Sequence, residues 1–163
     1  MPPDVTVLRL GPDDAGELLT LLRAAYVSEA RLHDDLDLPP LLQTLEQLRT
    51  DLADPSVDTF GLRQGTPGGR LVAAARLAAA GDGVADLGRL AVVPDLQGQG
   101  LGRRLLELAE ARRPPGVTRL RLFTGEYSAS NLRLYRRNGY TETHRASIGR
   151  YDLVHLSKEL PPA

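Results

Sequence analysis

Leu87-Gly88-Arg89-Leu90-Ala91-Val92-Val93-Pro94-Asp95-Leu96-Gln97-Gly98-Gln99-Gly100-Leu101-Gly102-Arg103-Arg104-Leu105-Leu106 changes its periodicity halfway along. Its first part closes an apolar run from Val84 to Val93 that suits a central strand, and Pro94 stops it. From Gly100 to Arg113 the residues Leu101, Leu105 and Leu108 share one helical face, and Pro114-Pro115 ends that helix. Between strand and helix stand Gly98, Gly100 and Gly102. Without Cβ atoms in the way, backbone N–H groups converge there, and the new helix adds its own unpaired N–H groups and the positive end of its dipole. Such a turn is built for a pyrophosphate, and Arg103 and Arg104, one turn in, add charge.

Working outward, Val117 to Phe123 alternates as a strand, so strand, helix and strand imply a parallel crossover. Ser130 to Arg137 reads as a shorter helix with Asn138-Gly139 at its C-cap. Tyr140 to Ile148 and Arg150 to Lys158 then pair as a final hairpin across Gly149. Toward the amino terminus, Val5 to Leu10 is a first strand, ended by Gly11 and Pro12. A helix follows whose Leu18, Leu21, Leu22, Ala25 and Tyr26 recur at helical spacing. Arg31 to Pro40, acidic and closed by two prolines, is expected to be a loop at the substrate entrance, leading to a second helix over Leu41 to Leu52. Asp58 to Arg63 and Arg70 to Ala79 form a hairpin around a turn at Gly65 to Gly69, and Gly81-Asp82-Gly83 turns the chain into the central strand. The sum is an α/β domain with a mixed central sheet, a single domain over residues 1–163.

Composition narrows the chemistry. The 163 residues are 42% hydrophobic, enough for one sizeable core, and 20 basic against 21 acidic residues leave a net charge of -1. No nucleic acid or membrane partner is expected from that balance. The chain has no cysteine, which removes disulfides, thiolate nucleophiles and Cys-ligated metals, and no metal site is read elsewhere. The amino terminus lacks a basic flank before an apolar stretch, and no apolar run reaches spanning length, so a cytoplasmic protein is expected.

The Gln-x-x-Gly-x-Gly pattern of Gln97 to Gly102, after a strand ending in Val-x-Pro and before a Leu-rich helix, resembles the acetyl-CoA-binding motif of the GNAT superfamily of N-acetyltransferases. Some thirty residues on, Asn131-Leu132-Arg133-Leu134-Tyr135-Arg136-Arg137-Asn138-Gly139-Tyr140 resembles the second signature of that family, an Asn, then a Tyr, then Gly and an aromatic. The order of elements from Val5 to Leu160 fits as well. The resemblance implies a mixed sheet whose central parallel strands splay apart, flanked by helices. It also implies direct transfer of an acetyl group from acetyl-CoA, as cosubstrate, to a primary amine of a small molecule or protein, with no covalent acyl-enzyme. The amine acceptor is not identified by the sequence, and a homodimer is left open.

On this reading Leu90, Ala91 and Val92 hold the pantetheine arm as an added strand would, and the Val92 N–H polarises the thioester carbonyl and stabilises the oxyanion. Gln97, Gly98, Gln99, Gly100, Leu101, Gly102 and Arg103 bind the pyrophosphate, and Asn131 bonds the coenzyme A arm or caps its helix. Tyr135 matches the family's general acid. A phenol near pKa ~10 facing a thiol near ~8.5 donates uphill by about 2 kcal/mol, which suits stabilisation of developing charge. The alternative role of Tyr135 is to anchor a short helix. For the base, Asp86 lies six residues before Val92, on the same strand and, by period-two counting, the same face. His144 and His155 on the last strands are further candidates, and acids between His33 and Asp37 could attract a cationic amine. A P-loop is excluded because Arg103-Arg104, not Lys-Ser/Thr, follows Gly102. A Rossmann site is a poor fit because its Gly-x-Gly-x-x-Gly spacing is missing. The rival from another class is a non-catalytic acyl-CoA-binding sensor that keeps the fold without turnover.

Overall fold

A computed structural model describes residues 3–65 and 68–162. Among them the chain forms one seven-stranded mixed sheet in the order β1-β2-β3-β4-β5-β7-β6. The strands are β1 (Val5–Arg9), β2 (Val57–Gln64), β3 (Leu71–Gly81), β4 (Val84–Val92), β5 (Arg119–Gly125), β6 (Thr141–Ser147) and β7 (Asp152–Glu159). Every neighbouring pair is antiparallel except β4 and β5. That exception is the crossover expected from the strand, helix and strand pattern, and it runs through α4 (Leu101–Arg112). Of the turn expected at Gly65 to Gly69, Thr66 and Pro67 lie outside the described residues.

Alternation along the strands feeds two apolar layers. On one face Phe60, Val72, Ala85 and Leu87 pack with Leu101, Leu105, Leu106 and Ala109 of α4 and with Leu132 of α5 (Ala129–Arg137). On the other, Leu71, Ala74 and Ala91 meet Leu18, Leu21 and Leu22 of α1 (Ala15–His33) and Leu48 and Leu52 of α3 (Leu45–Ala53). The stripe read from Leu18 to Ala25 is thus the buried face of α1.

Two expectations in the amino-terminal half are corrected. The segment from Arg31 to Pro40 is not all loop: α1 continues to His33, and Asp34 closes it in the left-handed conformation at φ 48°. Pro39 and Pro40 do not end a loop but open the short helix α2 (Pro39–Leu42), where a missing N–H costs nothing. Nor is Leu41 to Leu52 one helix. It breaks at Gln43-Thr44, because Thr44 takes an extended conformation and forms a capping box with Gln47 at the start of α3.

The parallel strands part early. β4 and β5 pair only at Val84 with Arg119, Ala85 with Leu120 and Asp86 with Arg121. Beyond Asp86 the edge of β4 is left without its neighbour. Against β3, Arg76 lies opposite Gly88 but Ala74 opposite Ala91, so Arg89 and Leu90 share the place across from Ala75. This is a β-bulge, and its first residue, Arg89, has φ 53°.

Candidate active site

The bulge decides what each backbone group of β4 can do. The Val93 N–H donates to the Val72 carbonyl at 2.8 Å, so residues 91 and 93 face β3 with their polar groups. The alternation of an antiparallel ladder then turns the N–H and C=O of Val92 the other way, into the gap left by β5. The Val92 carbonyl takes a hydrogen bond from Gln97 Nε2 at 3.3 Å, which ties the following loop back to the strand. The Leu90 carbonyl accepts one from the Tyr26 hydroxyl at 3.4 Å. Ala91 is a core residue, 3% exposed.

The bulge also corrects the count that linked Asp86 to Val92. Their partners on β3 are Ala78 and Ala73, an odd number of residues apart, so the two side chains lie on opposite faces of the sheet. Core residues agree: Ala85 and Leu87 pack toward α4, whereas Ala91 packs toward α1. Asp86 still stands on the cavity wall, where Arg121 donates to both of its oxygens at 2.5 and 3.1 Å.

In the glycine loop, Gly98 and Gly100 have φ of 76° and 88°, backbone that L side chains rarely adopt. Gly100 is the N-cap of α4, so the unpaired N–H groups of the first turn face the loop. Gly102 serves a different need. A Cβ there would lie 2.9 Å from Leu134 Cδ2, so its absence lets α4 and α5 approach. Leu101 is likewise buried in the core, at 2% exposure. Arg103 is ion-paired with Glu107 at 3.0 Å on an exposed surface, and Gln99, Arg103 and Arg104 border a depression of about 380 Å³ beside the loop. The positive-φ glycines and the free edge of Val92 thus fit a pyrophosphate and an extended arm.

The gap between β4 and β5 opens into a cavity of about 760 Å³. Tyr135, 4% exposed, reaches its wall, with its ring centroid 6.1 Å from that of Tyr140. Burial, reinforced by Tyr26, Glu29 and Tyr140, pushes its phenol well above the ordinary value, so it stays protonated throughout the physiological range. Asn131 does not cap α5. It lies within the helix, whose N-cap is Ser128, and its Nδ2 reaches Glu29 Oε1 at 3.3 Å and Thr124 Oγ1 at 3.4 Å. Ser128 also donates to Glu29.

Sequence reading passed over Glu29 and His33, one turn apart on the last part of α1. His33 is 6% exposed. Its Nδ1 is 2.9 Å from the Glu29 carbonyl, its Nε2 accepts from the Tyr127 N–H at 3.1 Å, and its ring lies 4.6 Å from that of Tyr151. Gly125 makes room for it, since a Cβ there would stand 2.1 Å from Nε2. The i, i+4 spacing of Glu29 and His33 was the available signal. The acids beyond His33 do other work: Asp35 accepts from the Tyr151 hydroxyl at 2.6 Å, which holds its carboxyl below the usual range.

His144 and His155 come together as a stacked pair, centroids 4.3 Å apart, on the same wall as Asp86. Burial, then the neighbouring His144 and Arg121, lower the pKa of His155, which keeps it neutral at neutral pH.

A splayed parallel pair beside a glycine loop, with a protonated tyrosine on the cavity wall, is the arrangement of an acyltransferase. The family model for the acetyltransferase (GNAT) domain matches residues 58–142, and the chain belongs to that family. It is 37% identical over 82 residues to an IAA acetyltransferase of Azospirillum brasilense, a match covering 48% of this chain and about half, 52%, of that protein. Its fold is similar to that of the ribosomal-protein-S18-alanine N-acetyltransferase of Escherichia coli, with a TM-score of 0.74 and 24% identity over 98% of this chain and 96% of that one. It is also similar to the PaiA N-acetyltransferase of Thermoplasma acidophilum in complex with coenzyme A, with a TM-score of 0.70 and 14% identity over 96% and 99% of the two chains. Among the described residues no helix is long and apolar enough to cross a membrane.

Proposed function

We propose that the protein transfers an acetyl group from acetyl-CoA directly to an amine held in the cavity between β4 and β5. The observation that carries this reading is the edge of β4 at Val92, whose N–H and C=O turn away from β3 and meet no partner strand. There an extended pantetheine arm pairs as a strand would, with the glycine loop donating to its pyrophosphate.

Acetyl-CoA supplies the thioester. The Val92 N–H donates to the thioester carbonyl oxygen as charge develops on it. The amine nitrogen bonds to the carbonyl carbon, the C–S bond breaks, and the products are an amide and coenzyme A. The Tyr135 hydroxyl donates a hydrogen bond to the departing sulfur; with its pKa raised by burial, that bond stabilises the thiolate more than it delivers a free proton. The amine proton leaves toward the wall carrying Asp86 and His155. His155, kept neutral, can accept it, while Asp86 holds Arg121 in place beside it.

Asn131 and Ser128 act through Glu29 to fix α5, and with it Tyr135, against α1. Acetyl-CoA at a hundred times its Kd is expected to stabilise the native state by about 2.7 kcal/mol, which raises Tm by roughly 5–10 °C for a chain of this size. A thermal-shift titration checks it. No shift with acetyl-CoA or longer acyl-CoAs contradicts the binding on which the reading depends.

A further inference from the structure

The cavity holds an unspent cation. Of its three arginines, Arg121 is bound by Asp86 at 2.5 and 3.1 Å and Arg76 by Asp51 at 3.4 Å. Arg89 makes no ion pair or side-chain hydrogen bond among the described residues, and its Nη1 is shielded from solvent without a partner. A guanidinium in that position is costly, because burial and the neighbouring Arg76 both disfavour its charge. Its backbone adds to the cost, since φ 53° is rarely adopted by a residue other than Gly, Asn or Asp. Strain and a half-buried guanidinium whose shielded Nη1 has no partner, at one residue on the rim of a cavity, mark a place where a ligand completes the structure.

Its position says which part of a ligand it meets. Arg89 is the first residue of the bulge, three residues before Val92 and next to Leu90, whose carbonyl accepts from Tyr26. Tyr26, Glu29 and Tyr135 line the same cavity as Arg89, and the Tyr26 hydroxyl reaches the carbonyl of the next residue, Leu90. In the transfer proposed above, thioester and acceptor meet beside these groups.

We propose that the acceptor is an amine carrying a carboxylate, of the amino-acid class, and that Arg89 binds that carboxylate by a charge-assisted, two-pronged hydrogen bond. The inference rests on the acetyl transfer proposed above and adds the substrate class.

The test pairs each of a panel of L-amino acids with its carboxamide, a near-isostere without the charge, and measures acetyl-CoA-dependent amide formation. The wild type is expected to favour the acid over the amide by ~10- to 10²-fold in kcat/KM, the worth of one hydrogen bond between charged groups. Arg89→Met, which keeps the apolar stem, brings that ratio close to one, and Arg89→Lys restores part of it. Calorimetric affinity for coenzyme A should be the same in all three proteins, whereas a residue that only holds the bulge would alter it. Equal use of acids and amides, or a preference that survives Arg89→Met, overturns the inference and leaves acetyl transfer standing. If no amine reacts, transfer itself has failed. The carboxylate is then read by titrating N-acetyl amino acids and their carboxamides into coenzyme A-loaded protein: a larger Tm shift with the acids, lost in Arg89→Met, supports the site, and equal shifts overturn it.

Discussion

Tyr135→Phe is expected to lower kcat about 10²-fold while the Kd for acetyl-CoA stays within a factor of about two. The ring is buried at 4% exposure and keeps its packing near Tyr140 in the variant, so only the hydroxyl is removed. A thiolate is already a fair leaving group, which sets the loss at the lower end of what general acids contribute. Because burial keeps the phenol protonated well beyond neutrality, no basic limb from Tyr135 should appear in the pH profile of the wild type at accessible pH. Steady-state kinetics with an accepted amine, alongside a calorimetric titration, separates the two roles of this residue. A structural role lowers Tm and affinity together with turnover per loaded protein preserved. Unchanged kcat in a folded variant sinks the acid assignment.

Gly100→Val should weaken acetyl-CoA binding by a comparable ~10²-fold, for a different reason. A Cβ at Gly100 meets nothing within 4 Å, so the substitution causes no clash. What it opposes is the dihedral: φ is 88°, and a β-branched residue is disfavoured in the left-handed region by about 1–2 kcal/mol or more. In the free protein the loop relaxes into another conformation, and binding must then restore the original one. Together with a misplaced N–H, whose hydrogen bond to a charged oxygen is worth about 1.5–3 kcal/mol, the loss comes to about 3 kcal/mol. Calorimetry should show the lower affinity with a Tm in the absence of ligand close to that of the wild type. Equal affinity in the two proteins would remove the loop from the binding site.

The glycine loop, the crossover around it and the short helix carrying Tyr135 were legible in the sequence because each rests on a local pattern. A change from strand to helical period, glycines at fixed offsets and a tyrosine in a short amphipathic helix are all visible in one stretch of chain. The bulge at Arg89 was not. Positive φ is normally announced by Gly, Asn or Asp, and here the adjacent Gly88 leaves the special conformation to an arginine. That one extra residue separated Asp86 from Val92, and with it the simplest argument for Asp86 as the base fell.

The end of α1 was less plainly marked, since Asp34 takes a left-handed cap that is most often a glycine. With the helix cut short, Glu29 and His33 went unread as a pair. The break between α2 and α3 could have been found, because Thr44-Leu45-Glu46-Gln47 carries the capping-box spacing. The network joining Glu29 to Ser128 and Asn131 links residues about a hundred positions apart, and no local pattern reports that.

Acetyl transfer to an amine is most directly tested by incubating the wild type with acetyl-CoA and a broad panel of amines, amino acids among them, and measuring coenzyme A release together with the mass of the amine. The expected result is release that depends on one class of amine and matches, mole for mole, an acetylated product. Coenzyme A bound by the protein but no amine acetylated anywhere in the panel would contradict the account and favour a sensor built on the same fold.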